Sequence, residues 1–224
     1  MQNTQKRRNV SRNSGNVKGK DSKNKLNKKD ENANVSDNKS SKFGIKNIMI
    51  GYFKFYKEKL NSLKYEPNIT HFKLAELEKK GKIKAIITQN IDGLHQKAGS
   101  QNVLELHGSV LRNYCMKCGK FYNAECVFGS KGVPRCTCGG VIKPDVVLYE
   151  EALNDEILNK SISAIRNADL MIVAGTSLTV YPASGLINFY NGPKLIVINR
   201  EKTQYNRKGN LVINESLGKI FKEI

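Results

Sequence analysis

The sequence predicts an α/β fold built on a doubly wound, Rossmann-like parallel sheet, with a small zinc-ribbon module inserted into it. Short apolar runs alternate with helical stretches, which is typical of a parallel sheet covered by helices on both faces. Four of the five cysteines form two close pairs in mid-chain. A length of 224 residues suits one domain with such a module.

The first 42 residues are predicted to form a disordered basic tail, followed by one domain over 43–224. The tail has twelve Lys or Arg against four Asp or Glu, nine Asn, six Ser and no aromatic residue. Such a segment cannot bury enough apolar surface to offset the entropy of ordering. Its charge favours acidic partners, so a weak nucleic-acid contact and a solvated appendage are both open.

No apolar run approaches the ~18 residues of a membrane span, and we expect a cytoplasmic protein.

The predicted elements begin after this tail. The stretch 45–63 mixes aromatic and basic residues and is expected to be helical. Asn68 can cap the start of a second helix, which Gly81 closes. Further helical stretches are predicted at 153–167 and 182–190. The predicted strands are 85–88, 103–106, 146–149, 170–174, 195–198 and 211–213. Ligands of doubly wound sheets bind beyond the carboxyl ends of the strands, so polar residues after these runs are candidate site residues.

The cysteine spacing predicts a structural zinc site in a module over 111–143. A Cys-x2-Cys pair, seventeen residues and a Cys-x-Cys pair fit four thiolates around one zinc, although the second pair is one residue shorter than usual. The proposed ligands are Cys115, Cys118, Cys136 and Cys138. Buried structural cysteines are the alternative. Cys126 is expected to be a free thiol packed in the ribbon, or else a substitute for one ligand of the second pair.

One of the three histidines is a candidate catalytic residue. His107 ends an apolar run and precedes Gly108, which places a group with a pKa near ~6.5 at the edge of the sheet where ligands bind. We interpret it as a candidate general base. His71 lies in the first turn of a helix and His95 in a tight turn, and both are expected to be structural.

Residues 86–118 place Thr-Gln-Asn-Ile-Asp, then Leu-His-Gly, then the first cysteine pair in one stretch. This arrangement resembles the catalytic centre of the sirtuins, the NAD-dependent protein-lysine deacylases, and the resemblance runs from about Tyr52 to the C-terminus. In that family the acetyl-lysine oxygen attacks the nicotinamide ribose of NAD, nicotinamide leaves, and a histidine deprotonates a ribose hydroxyl. His107 matches that histidine. The resemblance therefore implies a transferase that moves the acetyl group of acetylated proteins to ADP-ribose.

The resemblance also implies the other site residues. Asn90 and Asp92 would act with His107, because their side chains can bond the nicotinamide carboxamide and the ribose. The implied NAD contacts are Gln89, Asn90, Ile91, Asp92, Gly175, Thr176, Ser177, Asn199 and Glu201. The implied substrate contacts, where an acetyl-lysine peptide would pair as an added strand, are Val146, Val147, Leu148, Tyr149 and Val180. Phe53 and Tyr56 supply no cation for an acidic acyl group, so a small neutral acyl group is expected.

The chain departs from the family pattern at two places. No glycine-rich strand-turn-helix is found before Tyr52, so we expect the sheet to lack its first strand-helix unit, to expose apolar edges and to bind NAD weakly. Glu150 stands where many sirtuins have glycine, which matters only if its φ is positive. The alternative function is a non-catalytic sirtuin remnant, a zinc-bearing module that binds acyl-lysine peptides or nucleic acid.

Overall fold

The computed structural model describes residues 33–177 and 179–224. The chain divides into two compact units, 1–45 and 46–224. The α-helices are α1 (Ala33–Lys59), α2 (Ile69–Lys79), α3 (Leu94–Lys97), α4 (Ala124–Phe128), α5 (Asp155–Arg166) and α6 (Leu217–Ile220). The strands are β1 (Ile86–Thr88), β2 (Val103–Glu105), β3 (Gly108–Cys115), β4 (Phe121–Tyr122), β5 (Ile142–Val146), β6 (Leu170–Ala174), β7 (Lys194–Ile198) and β8 (Leu211–Ile213). Short 3-10 helices span Ser62–Lys64, Ala183–Phe189 and Gln204–Arg207.

Parallel pairing is confirmed, but it is divided between two sheets. β1 pairs with β2, and β6, β7 and β8 form a second parallel sheet. No strand of the described part of the chain joins the two. One face of β6 packs Val173 against the 3-10 helix at 183–189. The opposite face leaves Leu170 42% and Ile172 40% exposed, as expected for a parallel strand with an apolar flank left uncovered.

A three-stranded antiparallel sheet of order β4-β3-β5 carries the cysteine module. The sequence predicted a strand at 146–149, and this is wrong because β5 ends at Val146. A turn follows, in which the Glu151 N–H donates to the Leu148 carbonyl. Pro144 disfavours a strand in the sequence, yet it lies within β5 opposite Asn113, beside an interruption of the β3–β5 ladder that tolerates a missing N–H.

The helix predicted at 45–63 is confirmed, since α1 runs to Lys59 and a 3-10 turn follows. Phe53 and Tyr56 of α1 are buried against the cysteine module in the largest core cluster. The helix begins at Ala33, so residues 33–42 of the predicted tail belong to it. Extending an existing helix costs far less than nucleating one, even for polar residues. The rest of the predicted tail, 1–32, lies outside the described residues.

The second helix begins and ends as the sequence predicted. The Asn68 side chain accepts from the N–H groups of Thr70 and His71, and Gly81 follows the helix with a φ of +71°. The stretch predicted at 153–167 is α5, whereas the one at 182–190 forms a 3-10 helix. None of the described helices is long and apolar enough to cross a membrane.

Candidate active site

His107 is held in one orientation by the backbone at the end of β1. Its Nδ1 lies 3.0 Å from the Gln89 carbonyl oxygen. A carbonyl oxygen can only accept, so Nδ1 must carry the proton. In the neutral form of the ring, Nε2 is then the unprotonated nitrogen, and the side chain is half-buried.

The polar loop after β1 is fixed by short-range hydrogen bonds. The Asn90 N–H donates to Thr88 Oγ1 at 3.1 Å, and the Leu94 N–H donates to Asp92 Oδ1 at 3.0 Å. Ile91 is half-buried against the cysteine-module core, and its carbonyl accepts from the Val110 N–H. The loop is thereby held next to the strand that follows His107.

The ends of β1, β6 and β7 converge, as expected for the ligand edge of a parallel sheet. Gln89 Nε2 donates to Thr176 Oγ1 at 3.4 Å, and Asn199 Nδ2 donates to the Thr176 carbonyl at 3.3 Å. Asn199 Nδ2 also donates to the Glu201 carbonyl at 3.2 Å. Gly175 has a φ of +61°, and a Cβ there would lie 3.0 Å from Leu217. This turn, which Thr176 and Ser177 follow, therefore favours glycine.

The Ser177 hydroxyl lies in the same turn and is exposed. It is within 2.8 Å of the Thr179 hydroxyl. The implied substrate residue Val180 is 46% exposed and belongs to no strand of the described structure. Strand pairing at Val180 would therefore require an added peptide strand.

The segment after β5 adjoins His107 directly. The Val147 N–H donates to the His107 carbonyl at 3.1 Å. Val146 is 8% exposed and so cannot offer its side chain to a peptide, whereas Leu148 is 38% and Tyr149 98% exposed. Three of the four implied peptide contacts in this segment, Val147, Leu148 and Tyr149, are therefore accessible beside His107. We call residues 147–149 the peptide platform.

The four predicted cysteine ligands come together in one cluster, with all sulfurs within 4.8 Å of one another. Cys115 lies 3.5 Å from Cys138, Cys118 lies 3.6 Å from Cys136, and Cys138 lies 3.5 Å from Cys118, sulfur to sulfur. A tetrahedral zinc with Zn–S bonds of about 2.3 Å requires sulfurs about 3.8 Å apart. The cluster therefore fits zinc, and four thiolates leave no open coordination position.

The shorter Cys-x-Cys spacing of the second pair is accommodated because two glycines follow it. A Cβ on Gly140 would lie 2.6 Å from the Cys115 sulfur. The Tyr122 hydroxyl donates to the Cys136 sulfur at 3.0 Å. Hydrogen bonds from Tyr122 and the Cys138 N–H lower the pKa of Cys136 to about 5, which favours the thiolate that zinc binds.

The remaining cysteine and histidines lie outside these clusters. Cys126 is free and outside the zinc cluster, but it is exposed rather than packed, because α4 turns its Val127 face to the core. His71 caps α2, with Nδ1 accepting from the Asn68 N–H at 3.2 Å. Burial lowers the pKa of His95, which favours its neutral form. Sequence reasoning missed Arg112, which bonds carboxylates of β2 and β5, and Tyr122, because these contacts depend on strand pairing.

Comparisons with known proteins agree with this geometry. A family model described as Sir2 family matches residues 9–182. An "NAD-dependent protein deacetylase" of Clostridium perfringens is 57% identical over 175 residues, covering 77% of this chain and 72% of that protein. A relative of the same name in Sulfolobus acidocaldarius is 43% identical over 180 residues, covering 77% and 71%.

Solved structures are similar over the same share of the chain. A Sir2 with a p53 peptide and NAD+ matches with a TM-score of 0.73 at 40% identity, covering 78% of this chain and 75% of that one. A Sir2 with the inhibitor EX-527, 2'-O-acetyl-ADP-ribose and a deacetylated p53 peptide matches with a TM-score of 0.72 at 41% identity, covering 77% of each chain.

Proposed function

The chain belongs to the Sir2 family, and from that premise we propose that His107 is the general base of its reaction. The protein is an NAD-dependent protein deacetylase that acts on acetylated proteins. It transfers the acetyl group of acetyl-lysine to ADP-ribose and releases nicotinamide.

The observation that carries the proposal is the bond between His107 Nδ1 and the Gln89 carbonyl. It fixes the tautomer that leaves Nε2 free to accept a proton, and it fixes the plane of the ring. A base must lie within hydrogen-bond reach of the hydroxyl that it deprotonates, and a ring held by the backbone of the nicotinamide loop meets that need. His107 then takes the ribose proton, and Asp92 and Asn90 orient the ribose and the carboxamide.

The hydroxyl turn after β6 binds the rest of NAD in this proposal. Gly175 lets the backbone approach the ribose and phosphates, and Thr176 and Ser177 donate hydroxyl hydrogens to their oxygens. Asn199 and Glu201 bond the adenosine ribose. The contacts from Gln89 to Thr176 and from Asn199 to Thr176 support this, because they join the chain ends that follow β1, β6 and β7.

The segment from Val147 to Tyr149 forms one side of the peptide cleft and Val180 the other. The exposed side chains of Leu148 and Tyr149 contact the peptide, and its backbone pairs with the segment as an added strand. A small neutral acyl group fits best, because Phe53 and Tyr56 point into the cysteine-module core and bring no cation to the site.

The four-cysteine cluster holds a structural zinc in this proposal. When bound, zinc supplies a cross-link between β3 and the turn before β5 and takes no part in the chemistry, because its four positions are filled. The four thiolates also require a reducing compartment, and this supports a cytoplasmic location.

The basic tail supports a second proposal, a contact with nucleic acid. Residues 1–42 carry twelve basic side chains against four acidic ones, and such a charge binds phosphates without sequence preference. Binding of duplex DNA that disappears on deleting 1–42 would support it, and binding unchanged by that deletion would contradict it.

The test of the base uses two variants of one residue. His107→Ala removes the ring, and His107→Asn keeps an N–H that can donate to the Gln89 carbonyl but has no basic nitrogen. We expect both to lose at least about 100-fold of the NAD-dependent deacetylation, since general bases contribute about 10² to 10⁴. Activity retained in His107→Asn would mean that the residue is structural. Peptide binding without turnover in the wild-type chain would instead favour the non-catalytic remnant.

A further inference from the structure

We propose that Arg112 is a positioning residue, which holds the strand that leads to the general base against the platform for the acyl-lysine peptide. The inference rests on the proposed function above. Arg112 Nη1 donates to Glu105 Oε2 at 2.6 Å, and its Nε donates to Asp145 Oδ2 at 2.9 Å. One guanidinium therefore joins a carboxylate that ends β2 to a carboxylate near the end of β5.

Both carboxylates stand beside proposed site residues. Glu105 is two positions before His107 in the chain. Asp145 is two positions before Val147, whose N–H donates to the His107 carbonyl at 3.1 Å. The guanidinium thus links the segment that carries His107 to the segment that leads into the peptide platform. The separation of these two segments sets the distance from the base to the peptide.

The two ion pairs of Arg112, which we call the Arg112 clamp, lie where the backbone ladder between β3 and β5 is interrupted. β3 pairs Ser109 with Asp145 and then Asn113 with Pro144, so residues 110–112 have no partner in β5. A bulge of this kind bends the strand and re-aims its side chains. The arginine ends the unpaired stretch, and its two side-chain bonds take the place of the missing backbone bonds.

The chemistry of the clamp requires an arginine. The Glu105 side chain is only 7% exposed, and a buried carboxylate is costly unless it is paired. A guanidinium donates in two fixed directions from one plane, whereas the lysine ammonium is a point charge on a flexible stem. Lysine at position 112 can therefore satisfy one carboxylate well but not hold both at a fixed separation.

The start of β3 packs closely against β5. A Cβ on Gly108 would collide with the Asp145 carbonyl oxygen, so the start of β3 lies directly on β5. A displacement of β5 would therefore also displace His107, which directly precedes Gly108. A displacement of about 1 Å in a catalytic geometry can cost about 100-fold in rate.

The experiment compares Arg112→Met and Arg112→Lys with a matched arginine control. Arg166→Met removes an exposed arginine of α5 that stacks on Phe189 outside the site. We expect Arg112→Met to lose about 100-fold in kcat/KM, with a raised KM for an acetylated peptide and an unchanged KM for NAD. Arg112→Lys should recover part of the loss, and Arg166→Met should match the wild type.

Direct binding separates this inference from the proposed function. The anisotropy of a fluorescein-labelled acetyl-lysine peptide reports its Kd without turnover. If the wild type binds the peptide but never deacetylates it, the proposed function falls, while a several-fold weaker Kd for Arg112→Met still supports the clamp. An equal Kd for the two proteins overturns the clamp. So does a lower melting temperature with unchanged kcat and KM per folded molecule, which is what a purely structural role predicts.

A second variant covers failure to fold. The double variant Glu105→Gln with Arg112→Met removes the buried charge together with its partner, which is far less costly than removing the arginine alone. We expect it to fold and to keep the raised peptide KM. A wild-type KM in the folded double variant would contradict the inference.

Discussion

Replacing Glu150 by glycine should stabilise the protein. Glu150 has a φ of +69° and is the only described residue other than glycine with positive φ. It occupies the third position of the turn closed by the Glu151 N–H and the Leu148 carbonyl, where a type II turn needs positive φ and favours glycine. A left-handed conformation costs a side-chain-bearing residue ~1–2 kcal/mol. Glycine removes that cost but loses ~0.5–1 kcal/mol more entropy on folding, so the net gain is about 0.5–1 kcal/mol.

The assay is thermal unfolding at fixed zinc, in which such a gain should raise the Tm by about 1–4 °C for a chain of this size. Glu150→Ala is the matched control, because it removes the carboxylate and keeps the backbone penalty. We expect no stabilisation from it. Equal shifts for the glycine and alanine variants would show that charge rather than backbone strain is relieved, and destabilisation by glycine would refute the reasoning.

Three further predictions concern the module that supports the site. Cys115→Ser should lose the single zinc per chain, whereas Cys126→Ser should retain it; metal analysis showing full zinc in Cys115→Ser would contradict the cluster. Tyr122→Phe should lower zinc affinity about 10-fold in a chelator competition, because its hydroxyl donates to the Cys136 sulfur at 3.0 Å. Lys57→Met should reduce the free energy of unfolding by about 2–3 kcal/mol, since its ammonium donates to both Ser130 oxygens and the Gly132 carbonyl at 2.6–2.7 Å; an unchanged denaturation midpoint would refute that estimate.

Local patterns explain what the sequence predicted correctly. The cysteine cluster depends on spacings of one or two residues and on adjacent glycines, so its ligands can be recognised without knowing the fold. Asn68 and Gly81 likewise act within one turn of the helix that they bound. The role of His107 also rests on a local signal, since the residue ends an apolar run, where a parallel sheet places its ligands; that role stays a prediction.

The predictions that failed depend on distant pairing. The strand predicted at 146–149 follows the apolar run, but β5 is set by pairing with β3 and ends where the turn at Glu150 begins. The Arg112 clamp joins residues up to 33 positions apart across a bulge, and no local pattern marks a bulge of this kind. The exposure of Cys126 depends on which face α4 turns to the core. Such features follow from tertiary packing rather than local propensity.

The most direct test of the account is the product balance of the wild-type chain with an acetylated peptide and NAD, followed by mass spectrometry. The account predicts one nicotinamide and one O-acetyl-ADP-ribose for each lysine freed. With His107→Asn it predicts formation of O-acetyl-ADP-ribose at least about 100-fold slower, because the base acts after nicotinamide leaves. Free acetate released while NAD stays intact would contradict it, because the acetyl group would then have passed to water without ADP-ribose.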